Sequence, residues 1–317
     1  MGAERLEGRT LNTGHRLERS IGEGTFGTVY AARTRENQRV AVKVLNPGTS
    51  SELSEPQIHA RLDHANIIPF HMDGIEIFNG EKHSFIVMGY ADRGSIADLR
   101  KKHGGVLPLT QVVDLTEQTT KGLQAVHDTG IVHRDVKDQN LFLVTRETGL
   151  TVAVGDFGLA DRFIGSSFGQ STKSLGTPQY TAPEQITGDA QPASDQYSLA
   201  IATFRSVTGV FPLQGGTKEE FRQSHLSSNP LTFSEVLKAG ATAIHDELNE
   251  VVQKALSKEP DTRYASIEEF GQAVREGYER GLAYLRKNPR SKSINRRAAQ
   301  VGSAGRDIGK KEVKKRN

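Results

Sequence analysis

His133-Arg134-Asp135-Val136-Lys137-Asp138-Gln139-Asn140 is followed, 16 residues after Asn140, by Asp156-Phe157-Gly158. Two short β-prone runs, 140–144 and 150–154, lie between them and flank a turn at Glu147-Thr148-Gly149. This is the most specific polar constellation in the chain. The long periodic stretch before it, 109–127, carries Leu109, Val112, Val113, Leu115, Thr119, Leu123 and Val126 roughly three to four apart, which predicts an amphipathic helix closing at Gly130.

Upstream stands Gly22-Glu23-Gly24-Thr25-Phe26-Gly27-Thr28-Val29. A lone GxGxxG is a weak signal, and a dinucleotide-binding turn competes for it. That turn needs a strand, then the glycines, then a helix. Here the glycines open into Val29-Tyr30-Ala31-Ala32-Arg33, the polar turn Thr34–Gln38 and a second strand, Arg39–Val44, so they form a hairpin tip. Glycines there let backbone N–H groups lie close over phosphate oxygens. Val40-Ala41-Val42-Lys43 then puts a lysine on the next strand, 16 residues past Gly27, within reach of phosphate under that hairpin. A lysine in a half-buried cleft needs a carboxylate to fix it. Glu55 is the first candidate and Glu52 the second.

Taken with Ala182-Pro183-Glu184, these motifs resemble the eukaryotic-type (Hanks-type) serine/threonine protein kinase family, in that family's order and over roughly residues 15–280. The resemblance implies an α+β, bilobal protein-kinase fold that uses ATP with Mg2+, or Mn2+ as the alternative ion, to phosphorylate serine or threonine hydroxyls of proteins. It implies that Asp156 and Asn140 bind the metal, since hard oxygen ligands suit it. Asp135 would accept the substrate hydroxyl's proton, Lys137 would offset γ-phosphate charge, and Thr177 would bond the catalytic aspartate. Nucleotide contacts are implied for Ile21, Gly22, Glu23, Gly24, Thr25, Phe26, Gly27, Val29, Ala41, Lys43, Glu55, Met88, Gly89, Tyr90 and Ala91. Met88 resembles the residue at the back of the adenine pocket, and Gly89 replaces a commonly acidic residue in the linker after it. His133 is similar to a packing residue, Glu184 and Arg263 to a structural ion pair, and Asp195 to the helix residue that holds the catalytic loop.

The periodicities predict a small sheet-rich lobe with one helix, about 15–90, and a larger helical lobe, about 91–285, within a domain spanning 15–285. Strand candidates at Gly74–Phe78 and Ser84–Tyr90 complete the small lobe. Helices are expected at about 192–209, 217–226, 243–257 and 266–285. Residues 1–14 form an N-terminal extension and 286–317 a basic tail expected to lack structure.

Two departures from the family pattern stand out. Pro56 fits only the first turn of a helix, so the helix that carries Glu55 should be short, with Glu55 near its N-terminus. Lys173 occupies the place where many relatives carry a phosphorylated threonine. Arg134 resembles the arginine that binds a phosphate on the activation segment, with Thr172 and Ser174, and also Ser166, Ser167 and Ser171, as acceptors for autophosphorylation.

The bulk properties agree with a soluble globular protein. Of 317 residues, 35% are apolar and 25% charged, the mean hydropathy is -0.50, and no run approaches the length of a membrane helix. Cysteine is absent, which excludes disulfides and thiolate sites, and the start has no apolar core for a signal peptide; a cytoplasmic location is expected. The net charge of +3 is uneven: residues 286–317 hold 12 Lys/Arg against 2 Asp/Glu, or +10, which leaves -7 for the rest. Such a tail suits an anionic partner (nucleic acid, a membrane surface or an acidic protein), or it simply aids solubility. Rival readings are a pseudokinase scaffold, against which stands the presence of Lys43, Asp135 and Asp156, and a tail that binds nucleic acid. The motif Tyr180–Gln185 and the compact connections resemble bacterial or viral members of the family.

Overall fold

The computed structural model describes residues 6–24, 27–46, 55–147, 149–158, 160–162 and 176–288, with 55, 161 and 162 described in backbone only. The chain divides into two compact units at Leu99/Arg100, Thr120/Lys121 and Gly176/Thr177.

The first unit is built on a five-stranded antiparallel sheet. Its strands are β1 (Arg16–Gly24), β2 (Gly27–Arg33), β3 (Arg39–Leu45), β4 (Phe70–Phe78) and β5 (Glu81–Gly89), in the order β1-β2-β3-β5-β4. Alternation along β3 sorts its side chains onto two faces. Val40, Val42 and Val44 pack on one side with Leu17, Tyr30, Phe85 and Val87. Ala41 packs on the other with Ile68, Ile86, Met88 and Ala153, and Lys43, which is opposite Ile86 in register, shares that face. Residues 6–14, part of the N-terminal extension expected at 1–14, bury Leu6 and Leu11 in the valine-lined cluster. Asn12 ties them to β4 through Glu76 and the Ile75 carbonyl.

Helix α1 (Glu55–His59) is five residues long with Pro56 in its first turn, where a missing N–H breaks no helical bond. Helices α2 (Ile96–Lys102) and α3 (Leu109–Asp128) each run across a junction between the units. After α3 the first unit adds β6 (Ile131–Val132), the hairpin β7 (Leu141–Arg146) and β8 (Gly149–Val154), and β9 (Asp161–Arg162), which pairs with β6.

The second unit is helical: α4 (Pro183–Thr187), α5 (Pro192–Thr208), α6 (Lys218–Ser227), α7 (Phe233–Leu237), α8 (Ala243–Ala255) and α9 (Ile267–Lys287). Prolines open α4 and α5, and Thr217 and Ser266 cap α6 and α9 by accepting the N–H of Glu220 and Glu269. Helix α5 is buried from Ser194 to Phe204, and Phe204 stacks on Phe233 with centroids 4.8 Å apart. Among the described residues, no helix is long and apolar enough to cross a membrane.

Candidate active site

The first unit gathers the polar residues of the two quoted motifs. Lys43 is buried in β3, and its Nζ donates to Asp156 Oδ1 at 2.6 Å. Asp156 follows β8 with φ 64°, a left-handed conformation that is uncommon outside glycine and that Asp tolerates better than most residues. Burial opposes charge on Asp156, but the bonded Lys43 ammonium, with Lys137 adding, outweighs this and holds the carboxyl below the usual carboxylate range.

Asp135 is the second centre. Lys137 Nζ donates to its Oδ2 at 2.6 Å, and the buried Asn140 amide donates to its backbone oxygen at 2.9 Å and to Oδ2 at 3.1 Å. Asn140 thus spends its Nδ2 hydrogens on Asp135, and Oδ1 is the atom of this amide that could ligate a cation. Arg134, next to Asp135, also has a left-handed backbone, φ 65°. Asn140 and Asp156 are brought near one another because the Gly155 N–H donates to the Asn140 carbonyl at 3.1 Å.

His133 is fully buried and acts as a strut. Its Nδ1 accepts the Asp135 N–H at 3.3 Å, so Nε2 carries the proton and donates to the Gly155 carbonyl at 3.1 Å. One imidazole therefore fastens the loop of Asp135 to the residue before Asp156. Its ring also lies 5.1 Å from Phe157, which touches His59 at 5.0 Å, and His59 touches Phe70 at 5.6 Å. His59 was not singled out by the sequence. It is buried in α1 with Nε2 bonded to the Ile68 carbonyl, and burial lowers its pKa to about 4.

The remaining expected residues fall as follows. Ile21, Gly22, Glu23 and Gly24 end β1, Gly27 and Val29 open β2, and Ala41 sits in β3; Thr25 and Phe26 lie outside the described residues. Met88 and Gly89 end β5, and Tyr90 and Ala91 pack against the Ala41–Met88 cluster. Gly89 is required by packing: a Cβ there would stand 2.7 Å from both Cδ and Cγ of Pro69. Glu55 opens α1, but its side chain, like all of Glu52, is outside the described residues, as are Ser166, Ser167, Ser171, Thr172, Lys173, Ser174 and the basic tail from 289 onward.

Thr177 belongs to the second unit. There Arg263 grips Glu184 in a two-pronged, buried pair, Nη1–Oε1 2.7 Å and Nη2–Oε2 2.9 Å, and Ser194 donates to Glu184 Oε1 at 2.8 Å. Asp195 is buried in α5.

The donor set suits a hard cation carried by phosphates. Among the described residues no group of three His, Asp or Glu forms a self-sufficient metal cage. Asp156 and Asn140 would supply two oxygens, a set that fits Mg2+, which takes one or two protein ligands and completes its shell with water and phosphate.

Comparison with known proteins agrees with this geometry. The family model for the protein kinase domain matches residues 15–275. The chain is 34% identical over 277 residues to the serine/threonine-protein kinase PknA of Mycobacterium tuberculosis, covering 84% of this chain and 62% of PknA. It is 33% identical over 286 residues to the serine/threonine-protein kinase PknJ of the same organism, covering 86% of this chain and 46% of PknJ. It thus spans less than two thirds of these relatives' length. The crystal structure of the M. tuberculosis PknI kinase domain superposes with a TM-score of 0.61 at 25% identity, covering 87% of this chain and 100% of that one. Motifs, fold and relatives agree: the chain belongs to the protein kinase family.

Proposed function

We propose that this chain is an ATP-dependent serine/threonine protein kinase, active rather than a scaffold. The observation that carries this reading is the pair of ion contacts Lys43–Asp156 and Lys137–Asp135, tied together through Asn140 and His133. In this reading Lys43 binds phosphate, and Asp135 orients the substrate hydroxyl and takes its proton. Lys137 then offsets charge on the group in transfer, and Thr177 serves the catalytic aspartate. Asp156 and Asn140 would hold Mg2+ (or Mn2+), which neutralises phosphate charge. Alignment and charge stabilisation carry the chemistry, and the protein forms no covalent intermediate.

The nucleotide lies between the glycine hairpin and the Met88–Ala91 linker. The kinase domain occupies 15–285, with lobes at about 15–90 and 91–285. Autophosphorylation between Asp156 and Glu184, with Thr172 and Ser174 foremost, activates the enzyme through Arg134. The protein works in the cytoplasm on protein substrates, and its basic tail meets an anionic partner. Transfer of radiolabelled phosphate from ATP to a generic protein substrate tests the core. Asp135→Asn should lower the rate by about a hundredfold or more, and a wild-type protein no faster than this variant contradicts the reading.

A further inference from the structure

Arg16, Arg33 and Arg39 stand opposite one another across three neighbouring strands, Arg16 paired with Arg33 between β1 and β2 and Arg33 with Arg39 between β2 and β3. Directly opposed residues send their side chains to the same face, and strands lie about 4.8 Å apart, so the row spans about 10 Å. Arg19, opposite Ala31 in the next turn of the pleat, shares that face. Like charges so placed weaken strand pairing. Exposed like charges so placed attract an anion unless counter-charges within the chain neutralise them.

The row is only partly neutralised from within. Arg33 bonds Glu18 at 2.7 Å and the Asn37 backbone and side-chain oxygens at 3.1 Å. Arg39 lies over the Tyr90 ring, 5.1 Å from its centroid, which holds the guanidinium in place without cancelling its charge. Arg16 and Arg39 are exposed, and among the described residues neither has an ion pair. The residue type is also informative. All seven Lys/Arg residues before Lys43 are arginine, and arginine binds phosphate through two parallel N–H···O bonds where lysine offers a point charge.

The size of the patch selects the partner. Glu18, bonded to Arg33, interrupts the positive field, so it does not continue as a track along which a duplex, with a charge about every 1.7 Å, would run. Adjacent guanidinium groups within about 10 Å suit a single phosphate dianion. We propose that the Arg16–Arg33–Arg39 row is a docking site for a phosphorylated serine or threonine on a protein segment, the phosphate being held between neighbouring guanidinium groups. The inference rests on the kinase reading in one respect: such an enzyme works among phosphoproteins of this chemistry.

Binding of a fluorescent phosphoserine peptide to the full chain tests it, with the unphosphorylated peptide, a DNA duplex and phosphatidylserine vesicles as separate arms. The wild type should prefer the phosphopeptide over its unmodified form. Arg16→Gln should weaken that binding about tenfold, and Arg16→Gln with Arg39→Gln should weaken it further. Arg16→Gln should keep full phosphotransfer to a generic substrate, and Asp135→Asn should keep phosphopeptide binding, so failure of the docking site and failure of the kinase reading are told apart. Equal affinity for the two peptides, or phosphopeptide binding untouched by both arginine variants, overturns the proposal. So does a loss on substitution confined to DNA or vesicles.

Discussion

Lys43 and Asp156, 113 residues apart in the chain, meet through a 2.6 Å bond between Nζ and Oδ1. The lysine side chain is buried and the aspartate side chain partly exposed, so the pair is protected on its cationic side. Pairing holds Asp156 in its charged form, the form that a cation requires. The left-handed backbone at Asp156 turns this residue out of the β8 direction, and the His133 strut keeps the Asp135 loop against it.

The buried His59 makes stability depend on pH. Its pKa is about 4 in the folded chain against an ordinary 6.5, with burial the main cause and the Lys43 and His71 charges adding to it. The folded state therefore favours neutral imidazole. Its contribution is complete above pH about 6.5 and is lost as pH falls toward 4, by about 2 kcal/mol between pH 7 and pH 5. His59→Leu should remove that part of the acid sensitivity in urea unfolding at the two pH values. An unchanged difference between them contradicts the assignment.

The Glu184–Arg263 pair is fully desolvated, so removing one partner strands a charge. Arg263→Ala should destabilise the protein by about 3–5 kcal/mol in chemical denaturation. Replacing both residues by apolar ones of similar volume should cost less than the single change. A double variant weaker than Arg263→Ala would show that the pair itself, rather than its solvation, dominates.

Gly89 tests the packing of the linker. The proline ring beneath it is stiff, so Gly89→Ala should cost about 1–3 kcal/mol from overpacking, and Pro69→Ala in the same chain should relieve most of that. Thermal unfolding of the two single variants and the double measures the coupling. Additive losses would contradict the contact.

How much of this was legible beforehand varies with the physics involved. The motifs around Asp135 and Asp156 were readable because their chemistry demands particular residue types at fixed spacing. The strands at 29–33 and 39–44 and the four long helices announced themselves by periodicity. Strand β1 did not, because only Leu17 is buried in a charged run, and α2, α4 and α7 are too short to show a period. Leu6 and Leu11 are isolated apolar residues in a polar stretch, so their place in the core depends on the sheet they cover. His59 is a single histidine in a five-residue helix, and its ring contacts arise only once Phe157 and Phe70 are folded against it. The bond of Lys43 to Asp156 was not legible, because it joins residues that only tertiary structure brings together.

The central claim is that Lys43, Asp135, Asn140 and Asp156 surround one nucleotide–metal complex. Calorimetric titration of the purified chain with ATP, with and without Mg2+, tests this most directly. Binding should require the metal for full affinity and should weaken by about tenfold or more in both Lys43→Met and Asp156→Ala. ATP affinity indifferent to Mg2+ and to both substitutions would contradict the account.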